Sequence, residues 1–178
     1  GQIVGASEQM KKVYGLIDKV APSELTVVVT GETATGKELI ARAIHDASPR
    51  RNGPFVTFDC SAFPENLLES ELFGHEKGAF SGALRTHRGV FERVNEGTLF
   101  FDELGEMSPQ LQPKFLRALE SGEVRRVGAE RMTKIDVRVV AATNRNLFEE
   151  MAHGRFRADL LVRLAVLMVR IPPLRARM

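Results

Sequence analysis

Long apolar runs, cysteine and net charge are all scarce in this chain. No apolar stretch approaches the roughly 18 residues of a membrane-spanning helix, and nothing at the N-terminus reads as a signal peptide. A membrane role is therefore set aside, and a cytoplasmic location is the expectation. The single cysteine, Cys60, excludes an internal disulfide and fits a reducing compartment. A net charge of +2 is too small, by itself, to argue for nucleic acid. Repeats and low-complexity stretches are absent too. What is present is the balance of a globular domain, 43% hydrophobic and 27% charged over 178 residues. A domain of this length buries roughly 70% of its unfolded surface and needs no staple. Residues 1–178 read as one unit, cut from a longer protein, since the sequence opens at Gly1 and closes on IPPLRARM.

Apolar strands alternate with helices along the chain. Leu25–Thr30 (LTVVVT), Phe55–Phe58 (FVTF), Thr98–Asp102 (TLFFD), Val137–Thr143 (VRVVAAT) and Val166–Ile171 read as five strands. Between them lie a helix with Leu39, Ile40, Ala43 and Ile44 on one face, and another from Pro64 to Phe73, stopped by Gly74. A third opens at Ser108-Pro109, carries Leu111, Phe115, Leu116 and Leu119, and ends at Gly122. Ala158–Leu164 is a fourth. Continuous apolar strands with intervening helices predict an α/β fold, a five-stranded parallel sheet covered on both faces.

Gly31-Glu32-Thr33-Ala34-Thr35-Gly36-Lys37 fits G-x-x-x-x-G-K between a strand and a helix. Such a loop turns backbone N–H groups toward a phosphate, with a helix N-terminus behind and a lysine reaching the β/γ oxygens. The next residue is Glu38 rather than the Ser or Thr whose hydroxyl ordinarily serves Mg²⁺, so water is expected in that coordination position. TLFFD runs into Asp102-Glu103: an acid there holds Mg²⁺ and the following carboxylate orients a water, unless the two are a helix cap or a solvated pair. VRVVAAT runs into Asn144, a sensor of the γ-phosphate or simply a turn residue. Three polar strand ends at one sheet edge favour a nucleotide site.

GHEKGAFSGALRTHRG, residues 74–89, fits neither helix nor strand, and it leaves Phe80 in a glycine-rich loop. Gly78 and Gly82 supply a hinge at each end. Phe80 is either tucked into the core or an anchor for a partner. Arg85, His87 and Arg88 beyond it reach acidic protein surface or promoter phosphates, or are a solvated stretch.

These motifs together resemble the AAA+ domain of bacterial sigma-54-dependent transcription activators over nearly all 178 residues. GETATGKE resembles the family's Walker A and GTLFFDE its Walker B. ELFGHEKGAFSGA resembles its GAFTGA loop, with Ser81 in the threonine position, and RFRADLLVRL and IPPLR resemble the end of its α/β subdomain. The resemblance implies an AAA+ P-loop ATPase whose ATP and Mg²⁺ lie between subunits of a homo-oligomeric ring, in the family a hexamer. It also implies that Gly78, Ala79, Phe80, Ser81, Gly82 and Ala83 grip sigma-54 on its RNA polymerase holoenzyme. Promoter DNA is expected near that loop, and Val4-Gly5 near the adenine. Arg157 and Arg163 fall at trans-acting arginine positions, although Arg163 is also spaced to pair with Asp159 at i, i+4. The chain ends before the family's helical lid subdomain. Ala34 replaces a usual glycine, a strain of roughly 1 kcal/mol if its φ is positive. Asp59 replaces an asparagine that holds the Walker B glutamate, and two carboxylates do not share that contact unless one is protonated. Two rivals follow: a nucleotide-gated transcription-regulatory module with weak or no hydrolysis, and another AAA+ machine such as a helicase loader.

Overall fold

Five parallel strands form the sheet that the apolar runs predict. The computed structural model describes residues 8–31 and 34–172. In chain order the elements are α1 (Glu8–Val20), β1 (Val27–Thr30), α2 (Ala34–Asp46), β2 (Phe55–Asp59), α3 (Glu65–Phe73), α4 (Val90–Arg93) and β3 (Thr98–Asp102). There follow α5 (Gln112–Ser121), β4 (Glu123–Val124), β5 (Thr133–Lys134), β6 (Arg138–Thr143), α6 (Leu147–Ala152), α7 (Ala158–Leu164) and β7 (Met168–Arg170). The sheet order is β2-β3-β6-β1-β7, with every pairing parallel. Asp59 therefore registers beside Asp102, and Thr30 beside both Thr143 and Arg170, so the strands' C-terminal ends share one edge.

Period-two alternation sends each strand's side chains to two different cores. Val28, Leu99, Phe101, Val139 and Ala141 pack with Leu68, Leu72, Phe115, Leu160 and Leu164 on one face. Val27, Val29, Phe100, Val140 and Ala142 pack with Val13, Ile17, Ile40 and Ile44 on the other. Both faces are covered, which is why these strands read as unbroken apolar runs rather than alternating ones.

Some boundaries differ from expectation. β1 begins at Val27, because Leu25 is 47% exposed and belongs to the link. Pro64 sits just outside α3 as its N-cap, and Gly74 closes that helix with φ 85°. The helix expected from Ser108 starts at Gln112, with Pro113 in its first turn. The β4–β5 hairpin was not expected, nor was α1, although its buried Met10, Val13, Ile17 and Val20 follow helical spacing. Arg138 is fully buried at the start of β6 and ties α1 down. Its guanidinium donates to the carbonyls of Ala21 (2.6 Å), Val20 (2.8 Å) and Leu25 (3.2 Å).

Glu96, in the turn before β3, has φ 69°, a left-handed backbone that costs an L side chain energy. Glu96→Gly is expected to stabilise the fold by about 0.5–1 kcal/mol, after the greater freedom of glycine in the unfolded chain is discounted. Thermal melting checks this, and an unchanged or lowered midpoint overturns it.

Candidate nucleotide site and the loop beyond it

The phosphate loop leaves β1 at Thr30. Gly31 has φ 150°, and a Cβ there would stand 3.1 Å from Ile171 Cβ and 3.2 Å from its carbonyl oxygen. Ile171 N–H in turn donates to Thr30 O at 2.8 Å. Glu32 and Thr33 lie outside the described residues, as do Val4 and Gly5. α2 takes in Ala34, Thr35, Gly36, Lys37 and Glu38. The backbone at Ala34 is thus helical, and the positive φ that would have strained an alanine is not adopted there. Lys37 is 1% exposed in the first turns of α2. Glu38 accepts a hydrogen bond from Thr57 Oγ1 (3.0 Å), which draws its carboxylate toward β2.

Carboxylates crowd the adjoining strand ends. Asp102 Oδ1 accepts from Glu103 N–H at 2.9 Å. Glu103 is left-handed (φ 57°, ψ 49°) and opens a 3-10 turn without capping it. A non-glycine residue in that conformation stores strain, a frequent mark of functional positions. Burial pushes the Asp102 carboxyl above its ordinary range, and Asp59 and Glu38 add to the shift against Lys37 and the Glu103 N–H. Burial also raises Glu103, followed by Asp102, with Asp59 and Glu106 adding and Lys37 opposing. Both groups gain from a nearby cation. Among the described residues no three His, Cys, Asp or Glu side chains form a ready metal cage.

Asp59 does not hydrogen-bond Glu103. Its Oδ1 accepts from Ser61 N–H (2.9 Å) and Ser61 Oγ (2.7 Å), capping the turn Cys60–Ala62. The two carboxylates feel each other through space only. Neighbouring Cys60 is buried and its thiol is pushed up to about 12, which removes it as a nucleophile. Asn144 follows β6 and is exposed at the same edge.

Sequence reasoning did not anticipate a cavity beside α1. Gln9, Lys12, Val13 and Leu16 of α1 face Val169, Arg170 and Pro172 across a cavity of about 440 Å³. β7 pairs with β1, so this cavity flanks the strand that feeds the phosphate loop. The apolar stripe of α1 was the signal that could have found it.

Arg157 and Arg163 are not brought to the carboxylates by any contact among the described residues. Arg157 is exposed, and its Nε and Nη2 donate to Asp159 Oδ1 (3.1 Å) and Oδ2 (3.0 Å). The Arg163–Asp159 pair considered from spacing does not form. Arg163 Nη2 instead reaches Leu119 O at 3.4 Å.

The GAFSGA segment is an ordered turn. Gly78 N–H donates to Ala83 O (2.9 Å) and Ala83 N–H to Phe80 O (3.0 Å). Gly78 (φ 83°) and Gly82 (φ 92°) both use the left-handed backbone, with open space where a Cβ would be. Ala83 is buried and Ser81 exposed. Phe80 is not a core residue: it is 44% exposed, resting edge-on against the His75 ring at 4.9 Å. The loop's two ends are clasped, since His75 and His87 exchange backbone hydrogen bonds of 2.9 and 2.8 Å. Beneath them Arg126 takes both Glu92 oxygens (2.9 and 2.8 Å) and reaches Glu76 at 3.3 Å.

A family model described as the Sigma-54 interaction domain matches residues 3–170. The chain is 55% identical over 177 residues, 99% of its length, to the Nif-specific regulatory protein of Enterobacter agglomerans, and covers 34% of that protein. It is 54% identical over 176 residues, 99% of its length, to the anaerobic nitric oxide reductase transcription regulator NorR of Escherichia coli O1:K1, covering 35% of it. The chain thus spans about a third of the length of these relatives. Among solved structures it resembles NtrX from Brucella abortus in complex with ADP, with a TM-score of 0.90 and 39% identity, covering 99% of this chain and 38% of that one. The P-loop NTPase domain of an Escherichia coli sigma-54 activator shares the fold, with a TM-score of 0.62 and 17% identity over 96% of this chain and 99% of that one.

Proposed function

The chain belongs to the sigma-54 interaction domain family, and from that premise we propose that it hydrolyses ATP and uses the cycle to remodel sigma-54-bound RNA polymerase, so that the closed promoter complex opens. The observation that carries this reading is the pairing of two features on one fold. One is a phosphate loop backed by Asp102 and Glu103 at a single sheet edge. The other is an ordered turn, with Gly78 and Gly82 in left-handed backbone, that holds Phe80 half in solvent. Lys37 and the loop amides hold phosphates. Asp102 holds Mg²⁺, whose charge offsets that developing on the transferred phosphoryl group. Glu103 orients the attacking water, and Asn144 reads the γ-phosphate. The cavity beside β7 takes the base, with α1 as its outer wall. Arg157 and Arg163 act on the ATP of a neighbouring subunit in a ring.

Phe80→Ala tests the reading. Phe80 rests on one imidazole and leaves no core cavity when cut back, so melting temperature and basal ATPase are expected to stay near normal. A fully buried Phe would instead lose about 3–5 kcal/mol. The complex with sigma-54, assembled with a transition-state analogue of ATP, is expected to be lost together with promoter opening. A destabilised variant that still binds sigma-54 overturns the assignment.

One observation favours the slower alternative, a nucleotide-gated module with little hydrolysis. Asp59 is committed to Ser61 and offers Glu103 only a like charge. Release of phosphate from ATP by the isolated chain decides between the two.

A further inference from the structure

Gln112 opens α5 and is fully buried. An unpaired amide in that position is costly, so its polar atoms call for partners. They have them. Nε2 donates to Met107 O (3.0 Å) and to Arg155 O (3.0 Å), while Oε1 accepts from Arg157 N–H (2.7 Å). Two carbonyls on one side and an N–H on the other leave the amide a single sensible orientation. Met107 closes the 3-10 turn that Glu103 opens: Glu106 N–H donates to Glu103 O (2.9 Å), and Met107 N–H donates to Leu104 O (3.2 Å). One side chain thus bridges the turn that carries Glu103 and the backbone of Arg157, the N-cap of α7.

A second, ionic connection runs beside it. Glu106 pairs with Arg145, the residue after Asn144; Arg145 pairs with Glu150 at 3.4 Å, and Glu150 with Arg155. That chain ends two residues short of Arg157, whereas the amide reaches Arg157 itself. Holding α5 against α7 does not require a polar residue at 112. Leu111 and Phe115 already share one apolar core with Phe156, Leu160, Leu161 and Leu164. Apolar burial is non-directional, but hydrogen bonds weaken steeply off axis. What the amide adds to the packing is a fixed place for one backbone N–H.

We propose that Gln112 is a positioning residue: it fastens the backbone of Arg157 to the turn opened by Glu103, so that the guanidinium stands where a neighbouring subunit's ATP requires it. This role rests on the proposed action of Arg157 across a subunit interface. Gln112 hydrogen-bonds none of Lys37, Asp102 and Glu103, and it acts through Arg157 alone. A charge-stabilising group displaced by about 1 Å costs on the order of 10²-fold in rate. Gln112→Met keeps the length of the side chain and makes none of the three bonds. It is therefore expected to lower kcat for ATP by about 10² and to leave KM for ATP as it was, since its own phosphate loop is sound.

Mixing variants locates the defect. Gln112→Met mixed with Lys37→Ala, whose arginines are intact, is expected to recover part of the lost ATPase activity. Mixed with Arg157→Ala it is expected to recover none, because neither variant then offers a well-placed arginine. The reverse pattern makes Gln112 a servant of its own subunit's site through Met107, and overturns the proposal. No recovery in either mixture, in rings shown to be mixed, makes it a structural residue and also overturns it. The double variant Gln112→Met/Arg157→Ala is expected to be no slower than Arg157→Ala, and a further fall counts against the proposal in the same way. Should Gln112→Met melt early, Gln112→Asn takes its place with the same expected pattern. Its amide serves one neighbour but, a methylene shorter, does not span Met107 and Arg157. Failure of the underlying reading looks different: Arg157→Ala then hydrolyses ATP at the parent's rate, and the proposal falls with it. With Arg157→Ala impaired and a folded Gln112→Met as active as the parent, the proposal alone falls.

Discussion

Replacing Glu103 by glutamine is expected to leave ATP bound and to cut hydrolysis by about 10²–10⁴, the range for loss of a positioned carboxylate that works on a water's proton. Glutamine keeps the shape and occupies the same left-handed backbone (φ 57°) at similar cost, so the phosphate loop and Asp102 are left as they were. The variant has a second signature. Glu103 is held above its ordinary pKa by burial and by Asp102, so its ionised form costs stability. The native state then binds the proton more readily than the unfolded chain, and stability falls as pH rises between the unfolded and folded values. The cost is absent below that window and full above it. Glu103→Gln removes it, so the variant melts above the parent at neutral pH and the gap closes in acid. In the parent, the acid limb of hydrolysis lies above the usual carboxylate range, because protonated Glu103 orients no water. Unchanged turnover in the variant sinks the assignment, whatever the melts show.

The parts of this molecule that were legible in the sequence are those set by local pattern. TLFFD and VRVVAAT are buried on both faces, so their apolar runs announced a parallel sheet before any pairing was known. Gly78 and Gly82 were readable as positions that need glycine's backbone freedom, and both have positive φ. Partner choice was not legible. Helical spacing allowed Asp159 to meet Arg163. However, Arg157 stands just before α7 with extended backbone (φ −71°, ψ 139°) and folds its side chain back onto Asp159 first. Asp59 was weighed against Glu103, across the sheet edge, yet it found Ser61 two residues away. The contact of Phe80 with His75 depends on the clasp among residues 75, 87 and 127, which no local window contains. The β4–β5 hairpin has two-residue strands, too short to show alternation.

Arg157→Ala and Arg163→Ala are each expected to lower ATPase activity by about 10³–10⁵, the range for an arginine that meets the charge of the transferred phosphoryl group. Neither side chain reaches Lys37, Asp102 or Glu103 within its own subunit. Any catalytic role therefore has to be exerted across an interface. Arg157 is free to do so: it is exposed, and its Asp159 partner is equally exposed, a pair of small worth that gives way to a triphosphate. Arg163 gives up only a 3.4 Å contact with Leu119 O. The decisive measurement mixes subunits. Lys37→Ala removes the phosphate grip and leaves the arginines whole, whereas Arg157→Ala or Arg163→Ala does the reverse. Each variant alone is expected to be nearly inactive, but in the proposed ring a mixture would contain interfaces with an intact loop on one side and intact arginines on the other. Part of the lost activity is expected to return on mixing and to rise with the fraction of such interfaces. Specific activity of the parent is likewise expected to climb with protein concentration if, as proposed, each site is completed by a neighbouring subunit. If rings shown to be mixed recover nothing, Arg157 and Arg163 serve their own subunit's structure, and catalysis between neighbours loses its support.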